Sequence, residues 1–127
     1  MKVLAIDLDQ TLLHTDKTIS KATQDVFHQL KTKTDHKVII ATGRALSRAE
    51  EYMEAVEADG IISLNGAKTI YHTQTLSEYG VDPDNAERLI RLLLALPDTY
   101  VNVTYPDVIL TNNRSLVTGD HVHEYTD

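Results

Sequence analysis

The sequence has no cysteine and no tryptophan, a single phenylalanine, and only three prolines and five glycines in 127 residues. Without cysteine there is no disulfide framework, thiolate zinc site or thiol nucleophile, so packing alone must hold the fold. Cations are also scarce: twelve Lys plus Arg stand against nineteen Asp plus Glu, a formal charge of −7. That balance opposes attraction to nucleic acid and to anionic lipid, and neither is expected as a partner. Long apolar runs are missing as well. Val3-Leu4-Ala5-Ile6 is cut by Asp7, too short for a signal peptide or a membrane span, so a cytoplasmic location is the expectation. What is present, 42% hydrophobic and 24% charged residues, is the composition of a globular chain able to bury a core.

Hydrophobic patterning gives the organisation. Val3 to Leu8 and Lys37 to Ala41 are short apolar runs with abrupt polar ends, read as buried parallel strands. Between them Ser20 is suited to cap a helix reaching Lys33, with Ala22, Val26, Phe27 and Leu30 along one face. Leu46, Ala49, Met53 and Val56 mark a second helix, and Gly60 to Ser63 a third strand. Alternation of this kind predicts a parallel sheet with right-handed crossovers, in which ligands bind beyond the carboxyl ends of the strands. Asp7, Asp9, Thr42 and Asn65 all fall at such ends. Farther on, Asn65-Gly66 turns into a hairpin strand at Lys68 to His72. Asp82-Pro83 opens a helix carrying Ala86, Leu89, Ile90, Leu93 and Leu94 that Pro97 stops, and Thr99 to Tyr105 pairs with Val108 to Thr111 around Pro106-Asp107.

The chemistry concentrates in Asp7-Leu8-Asp9-Gln10-Thr11, where two carboxylates meet a hydroxyl at the end of an apolar strand. Placing two anions so close is costly unless a cation or hydrogen-bond donors compensate, and a magnesium ion with oxygen ligands would do so. One carboxylate is then able to attack phosphorus while the other protonates the leaving oxygen and later activates water. Taken alone, the pentapeptide is also compatible with a solvated strand end. Thr42-Gly43-Arg44 adds a hydroxyl, an unhindered backbone amide and a guanidinium, groups that suit a phosphoryl oxygen, although Thr42 and Gly43 also fit a plain helix N-cap.

Taken with Ser63-Leu64-Asn65-Gly66-Ala67, the segments Ile6 to Leu13 and Ile40 to Arg44 resemble, in order and spacing, the opening motifs of the Cof-type sugar-phosphatase branch of the haloacid dehalogenase superfamily. The resemblance covers roughly the first two-thirds of the chain. It implies an α/β fold, a partial Rossmann-like parallel sheet over residues 1–80 followed by the beginning of an α/β cap over residues 81–127. It further implies Asp7 as nucleophile, Asp9 as general acid/base, and Thr42, Gly43, Arg44 and Asn65 as substrate-binding residues, with Thr11 supporting the loop. Mg2+ would be held by Asp7 and Asp9, the latter through its main-chain carbonyl, and the substrate would be a small phosphorylated metabolite resembling a sugar phosphate.

The sequence departs from the family pattern in two places. Gln10 stands where glycine is commoner, in a tight turn. The family's later Lys and Gly-Asp metal motif have no credible counterpart: Gly119-Asp120 with Glu124 follows the cap-like strands too soon, and His121 and His123 read as solvated tail residues. The acids Glu50, Glu51, Glu54 and Glu57 read as a solvated helix face. Two expectations follow. One is a magnesium-dependent phosphohydrolase present here as an incomplete chain; the other is a truncated, non-catalytic remnant of the same fold acting as a binding or interaction domain. A sheet lacking its later strands has an unpaired edge, which invites a homodimer. A phosphoacceptor receiver domain is disfavoured, because its acceptor Asp belongs at the end of the third strand, where this chain has Ser63-Leu64-Asn65.

Overall fold

The computed structural model describes residues 1–105, 108–113, 115, 117 and 122–124. Two compact units are present, Met1–Tyr79 and Gly80–Asp127. In the first, β1 (Val3–Ile6), α1 (Lys21–Lys33), β2 (Lys37–Ala41), α2 (Glu50–Ala55), β3 (Gly60–Ser63), β4 (Lys68–Tyr71) and β5 (Gln74–Glu78) form an α/β layer structure on one five-stranded sheet ordered β1-β2-β3-β4-β5. The first three strands are parallel, and β4 and β5 run antiparallel.

Local chemistry explains the boundaries. Ser20 caps α1 by accepting a hydrogen bond from the Thr23 amide at 3.1 Å. The register puts Ile40 opposite Ile6 on one side and Ile61 on the other. Ile40, Ile61 and Val38 are wholly buried and pack with Leu8, Leu12, Phe27, Tyr52 and Val56. Gly60 lets β3 and β4 close up, because a Cβ there would lie 2.5 Å from the Ile70 carbonyl oxygen.

The structure corrects several expectations. β1 is not buried: Val3 is 62% and Leu4 41% exposed, because β1 is an edge strand whose one neighbour is β2. On α1, Phe27 is buried and Leu30 partly so, but Ala22 and Val26 face solvent. The second helix is broken into a 3-10 turn at Leu46–Arg48 and the short α2, because Ala49 between them leaves helical geometry at φ −127°. The 3-10 turn is entered from Ala45, so Thr42 does not cap it. Strand β5 is an addition that its exposed, polar residues did not signal.

In the second unit, α3 (Pro83–Leu94) starts at Asp82, whose carboxylate accepts from the Asn85 amide. β6 (Asn102–Thr104) pairs antiparallel with β7 (Ile109–Thr111), which pairs parallel with β8 (Val122–Glu124). Val101, Ile109, Thr111 and Val122 are buried there. β8 corrects the reading of this segment as a polar tail: His123 is exposed, but its backbone lies in the sheet opposite Leu110. Pro106-Asp107, Gly119-Asp120, His121 and the Glu124 side chain lie outside the described residues. Among the described residues no helix is long and apolar enough to cross a membrane.

Candidate active site

The carboxyl ends of β1, β2 and β3 lie side by side, and the loops leaving them enclose an open cleft of about 330 Å³ lined by Asp7, Ala41, Thr42, Gly43, Ile62, Asn65 and Gly66. Hydrogen bonds between loops fix its floor. The Thr42 amide donates to the Ile62 carbonyl at 2.8 Å, the Asn65 amide to the Thr42 carbonyl at 3.2 Å, and the Leu64 amide to the Arg44 carbonyl at 3.0 Å. Thr42, 7% exposed, accepts from the Arg44 amide through its hydroxyl at 3.2 Å. A Cβ on residue 43 would lie 2.9 Å from Asn65 Oδ1, so Gly43 is what allows the amide side chain to lie across this loop. Leu64 and Asn65 both adopt left-handed backbone, with φ of 52° and 54°. Two such residues in succession are strained and persist only where neighbours hold them, a pattern found at working sites.

After Asp7 the chain makes one wide turn over Leu8–Leu12, anchored by the buried Leu8 and Leu12 and closed by the Leu13 amide donating to the Leu8 carbonyl at 2.9 Å. Within it Gln10 sits at φ 62°, the conformation that glycine takes without penalty. The turn separates the two carboxylates in environment. Asp7 is exposed, and its partner is the Thr11 hydroxyl at a long 3.5 Å; among the described residues no cation pairs with it. Asp9 accepts from Arg44 Nε at 2.7 Å on Oδ2, and from Arg44 Nη2 at 2.8 Å and Lys17 Nζ at 2.7 Å on Oδ1. The Arg44 fork and then Lys17 outweigh the small cost of burial and hold the Asp9 carboxyl far below the usual carboxylate range, while the same pairing raises Arg44. Arg44 is itself held over the Tyr52 ring, 5.1 Å from its centroid, and donates to the Arg48 carbonyl at 3.3 Å.

Of the residues expected from sequence, the structure brings Asp7, Thr42, Gly43 and Asn65 together on the cleft, and places Asp9 and Arg44 beside it as a bidentate pair. Lys17 and Tyr52 were missed. Tyr52 carried a weak signal, a buried aromatic on the broken helix; Lys17 carried none, since no periodicity links a loop lysine to an acid eight positions earlier. Among the described residues no three His, Asp or Glu side chains converge as a metal site. The donor set nonetheless fits a hard divalent cation of the magnesium kind, which is commonly held by one or two protein oxygens with water and substrate phosphate completing the shell. Asp7 has the uncompensated carboxylate for it; the Asp9 carboxylate is already taken.

Residues 4–126 match the family model of haloacid dehalogenase-like hydrolases. Over 73 residues, 57% of this chain, the sequence is 40% identical to 5-amino-6-(5-phospho-D-ribitylamino)uracil phosphatase YitU of Bacillus subtilis. A haloacid dehalogenase-like hydrolase from B. subtilis superposes with a TM-score of 0.77 at 28% identity, covering 91% of this chain and 41% of that one. BT1666 from Bacteroides thetaiotaomicron, studied among phosphatases of the same superfamily, gives 0.74 at 28% identity over 89% of this chain and 42% of that one. The chain spans 26% of YitU and at most 45% of the curated relatives it matches.

Proposed function

The chain belongs to the haloacid dehalogenase-like hydrolases, and from that premise we propose that it is the nucleophile-bearing part of a magnesium-dependent phosphohydrolase acting on a small phosphorylated metabolite of the sugar-phosphate kind. The observation that carries this reading is the cleft itself. Asp7, a carboxylate with no cationic partner among the described residues, faces the Thr42 and Asn65 loops across a space open to solvent. YitU, by its name, acts on a phosphorylated ribityl compound, which fits the substrate class.

Asp7 attacks phosphorus as the bond to the ester oxygen breaks, the leaving oxygen takes its proton from the protonated form of Asp9, and an aspartyl-phosphate remains. Thr42 and the Gly43 amide bind non-bridging oxygens, with Asn65 beside them. Magnesium, when bound by Asp7 and the Asp9 carbonyl, neutralises phosphoryl charge. In the second step Asp9 takes a proton from the water that attacks phosphorus, and the bond to Asp7 breaks to give inorganic phosphate. Asp9 is ionised, as a proton acceptor must be, and its cations set its orientation. To protonate the leaving group it must first swing away from them and take up a proton from solvent.

A second reading, a fold that binds phosphate without turning it over, is favoured by one observation: among the described residues no cation lines the cleft, Arg44 and Lys17 both being engaged by Asp9. Magnesium-dependent hydrolysis of an aryl phosphate by the purified chain, with Asp7→Asn as control, separates the two. Turnover that vanishes in the control supports the enzyme; phosphate binding with no turnover supports the binding domain. The exposed apolar edge at β1 is also proposed to pair with a second copy of the chain. Light scattering across a concentration series should then show a dimer, and a clean monomer at high concentration removes the idea.

A further inference from the structure

We propose that Lys17 is a positioning residue which, together with Arg44, fixes the Asp9 carboxylate in the orientation required for the water step. The inference rests on the phosphohydrolase reading for its catalytic meaning. An exposed lysine beside an aspartate is ordinarily worth little, but three features set this one apart. First, Lys17 Nζ meets the same Oδ1 that Arg44 Nη2 holds, at 2.7 and 2.8 Å, while Arg44 Nε holds Oδ2. Donors from two separate loops thus fix both carboxylate oxygens, which leaves the group little freedom to rotate.

Second, the loop is built to place the lysine. Its amide donates to the His14 carbonyl at 3.0 Å, the His14 amide donates to the Thr18 carbonyl at 2.9 Å, and Asp16 Oδ1 accepts from both the amide and the hydroxyl of Thr18. Leu13 and Ile19, both buried, tie the two ends of this turn into the core. Third, Lys17 sits at φ 64°, a left-handed conformation that a residue with a Cβ adopts at a cost and that surrounding structure must enforce. A lysine serving only solubility needs none of this.

The two cations differ in exposure. Arg44, with 19% of its side chain exposed, is pinned by Tyr52 and the Arg48 carbonyl; Lys17 is 56% exposed. Arg44 engages both carboxylate oxygens, and Lys17 adds a third donor from a second loop, so that only the two together select one rotamer of Asp9. With Lys17 in place, Asp9 faces the attacking water, receives its proton as the oxygen bonds to phosphorus, and returns that proton to solvent after the Asp7 ester breaks.

The first test needs no turnover. In solution NMR of the chain, the Asp9 Hα–Hβ couplings should report one rotamer. In Lys17→Met they should converge to averaged values while the remaining amide spectrum is retained, and Lys17→Arg should restore them. Averaged couplings in the wild type, or unchanged couplings in Lys17→Met, overturn the proposal. Where the wild type hydrolyses an aryl phosphate, Lys17→Met should lower kcat about tenfold with a parallel fall in KM, because the phospho-intermediate accumulates, and should show a burst of released phenol. A raised KM at constant kcat would instead make Lys17 a substrate-binding residue and overturn the positioning role. Absence of turnover in the wild type defeats the phosphohydrolase reading alone, and the couplings still decide where Lys17 acts.

Discussion

One sheet carries, at its two ends, the same motif of an aspartate held between two cations, and the two instances do different work. At the amino ends of β2 and β3, Asp59 is 5% exposed and accepts from Lys31 Nζ at 2.5 Å, from the Val38 amide at 2.8 Å and from Lys37 Nζ at 3.4 Å. At the carboxyl ends, Asp9 is held by Arg44 and Lys17 with 37% of its side chain exposed and, among the described residues, no backbone donor. Burial opposes the Asp59 charge, but the two lysines and the Val38 amide outweigh it and keep its carboxyl below the ordinary range. Asp59 stitches α1, β2 and β3 together. Asp9 stands next to Asp7, with which no cation pairs among the described residues, and beside a cleft open to solvent. Charge pairing alone therefore does not distinguish the two; the proposed site is marked by the neighbouring carboxylate that has no cationic partner among the described residues.

The largest expected effect lies at the cleft. Asp7→Asn should abolish aryl phosphate turnover, at least about a thousandfold, since it removes the attacking group. The melting temperature should stay close to wild type, because Asp7 is exposed and makes a single long hydrogen bond. A large fall in stability with residual turnover would break the comparison by making Asp7 the structural acid. Next comes Arg44. Replacement by Met should lower kcat by roughly a hundredfold, because the Asp9 carboxylate loses two of its three donors. Arg44→Lys should recover only part of it, since a lysine cannot span both oxygens. Steady-state kinetics on both variants checks this.

At the opposite end the sign of the effect changes from rate to stability. Asp59→Asn should cost about 2 kcal/mol in urea unfolding at neutral pH, by leaving Lys31 and Lys37 without their anion. Turnover below the melting range should stay near wild type. The pH dependence follows from the direction of the shift. A folded-state value depressed below the ordinary 3.8 means that the unfolded chain binds more protons in that range, so the contribution is complete above about 3.8 and is lost as the pH falls through the lower folded value. Wild type should thus lose stability more steeply than Asp59→Asn as the pH falls below about 3.8, as urea titrations at several pH values would show.

These contrasts also mark what the sequence could reveal. Strands β2 and β3, the cap at Ser20 and the start of α3 at Asp82-Pro83 were legible, because each rests on local rules, an apolar run or a capping side chain next to a helical face. The convergence of Asp7, Thr42 and Asn65 was legible too, since parallel topology alone puts strand ends together. What escaped depends on neighbours. β1 has the composition of a buried strand but lies at an edge, and no residue within it says how many strands flank it. The break at Ala49 gives no signal in a periodic pattern. The Lys17 contact needs a left-handed turn that the segment His14 to Thr18 does not advertise, and β8 pairs with β7 through backbone groups that any residue supplies.

The smallest effect concerns stored strain. Gln10, Lys17, Leu64 and Asn65, four of the seven non-glycine residues with positive φ among the described residues, lie in the loops around the carboxyl ends of the strands. Gln10 is the simplest to release, because its side chain is exposed and, among the described residues, no side-chain hydrogen bond of it holds the turn. Left-handed backbone costs a residue with a Cβ about 1 kcal/mol or somewhat more. Glycine recovers that in the folded state but gives back roughly 0.4–1 kcal/mol through a freer unfolded chain. Gln10→Gly should therefore stabilise the protein by about 0.5 kcal/mol, seen as a rise of a few degrees in melting temperature. Equal or lower stability would mean that Gln10 is held by something other than the turn, and that the strain belongs to Lys17, Leu64 and Asn65 alone.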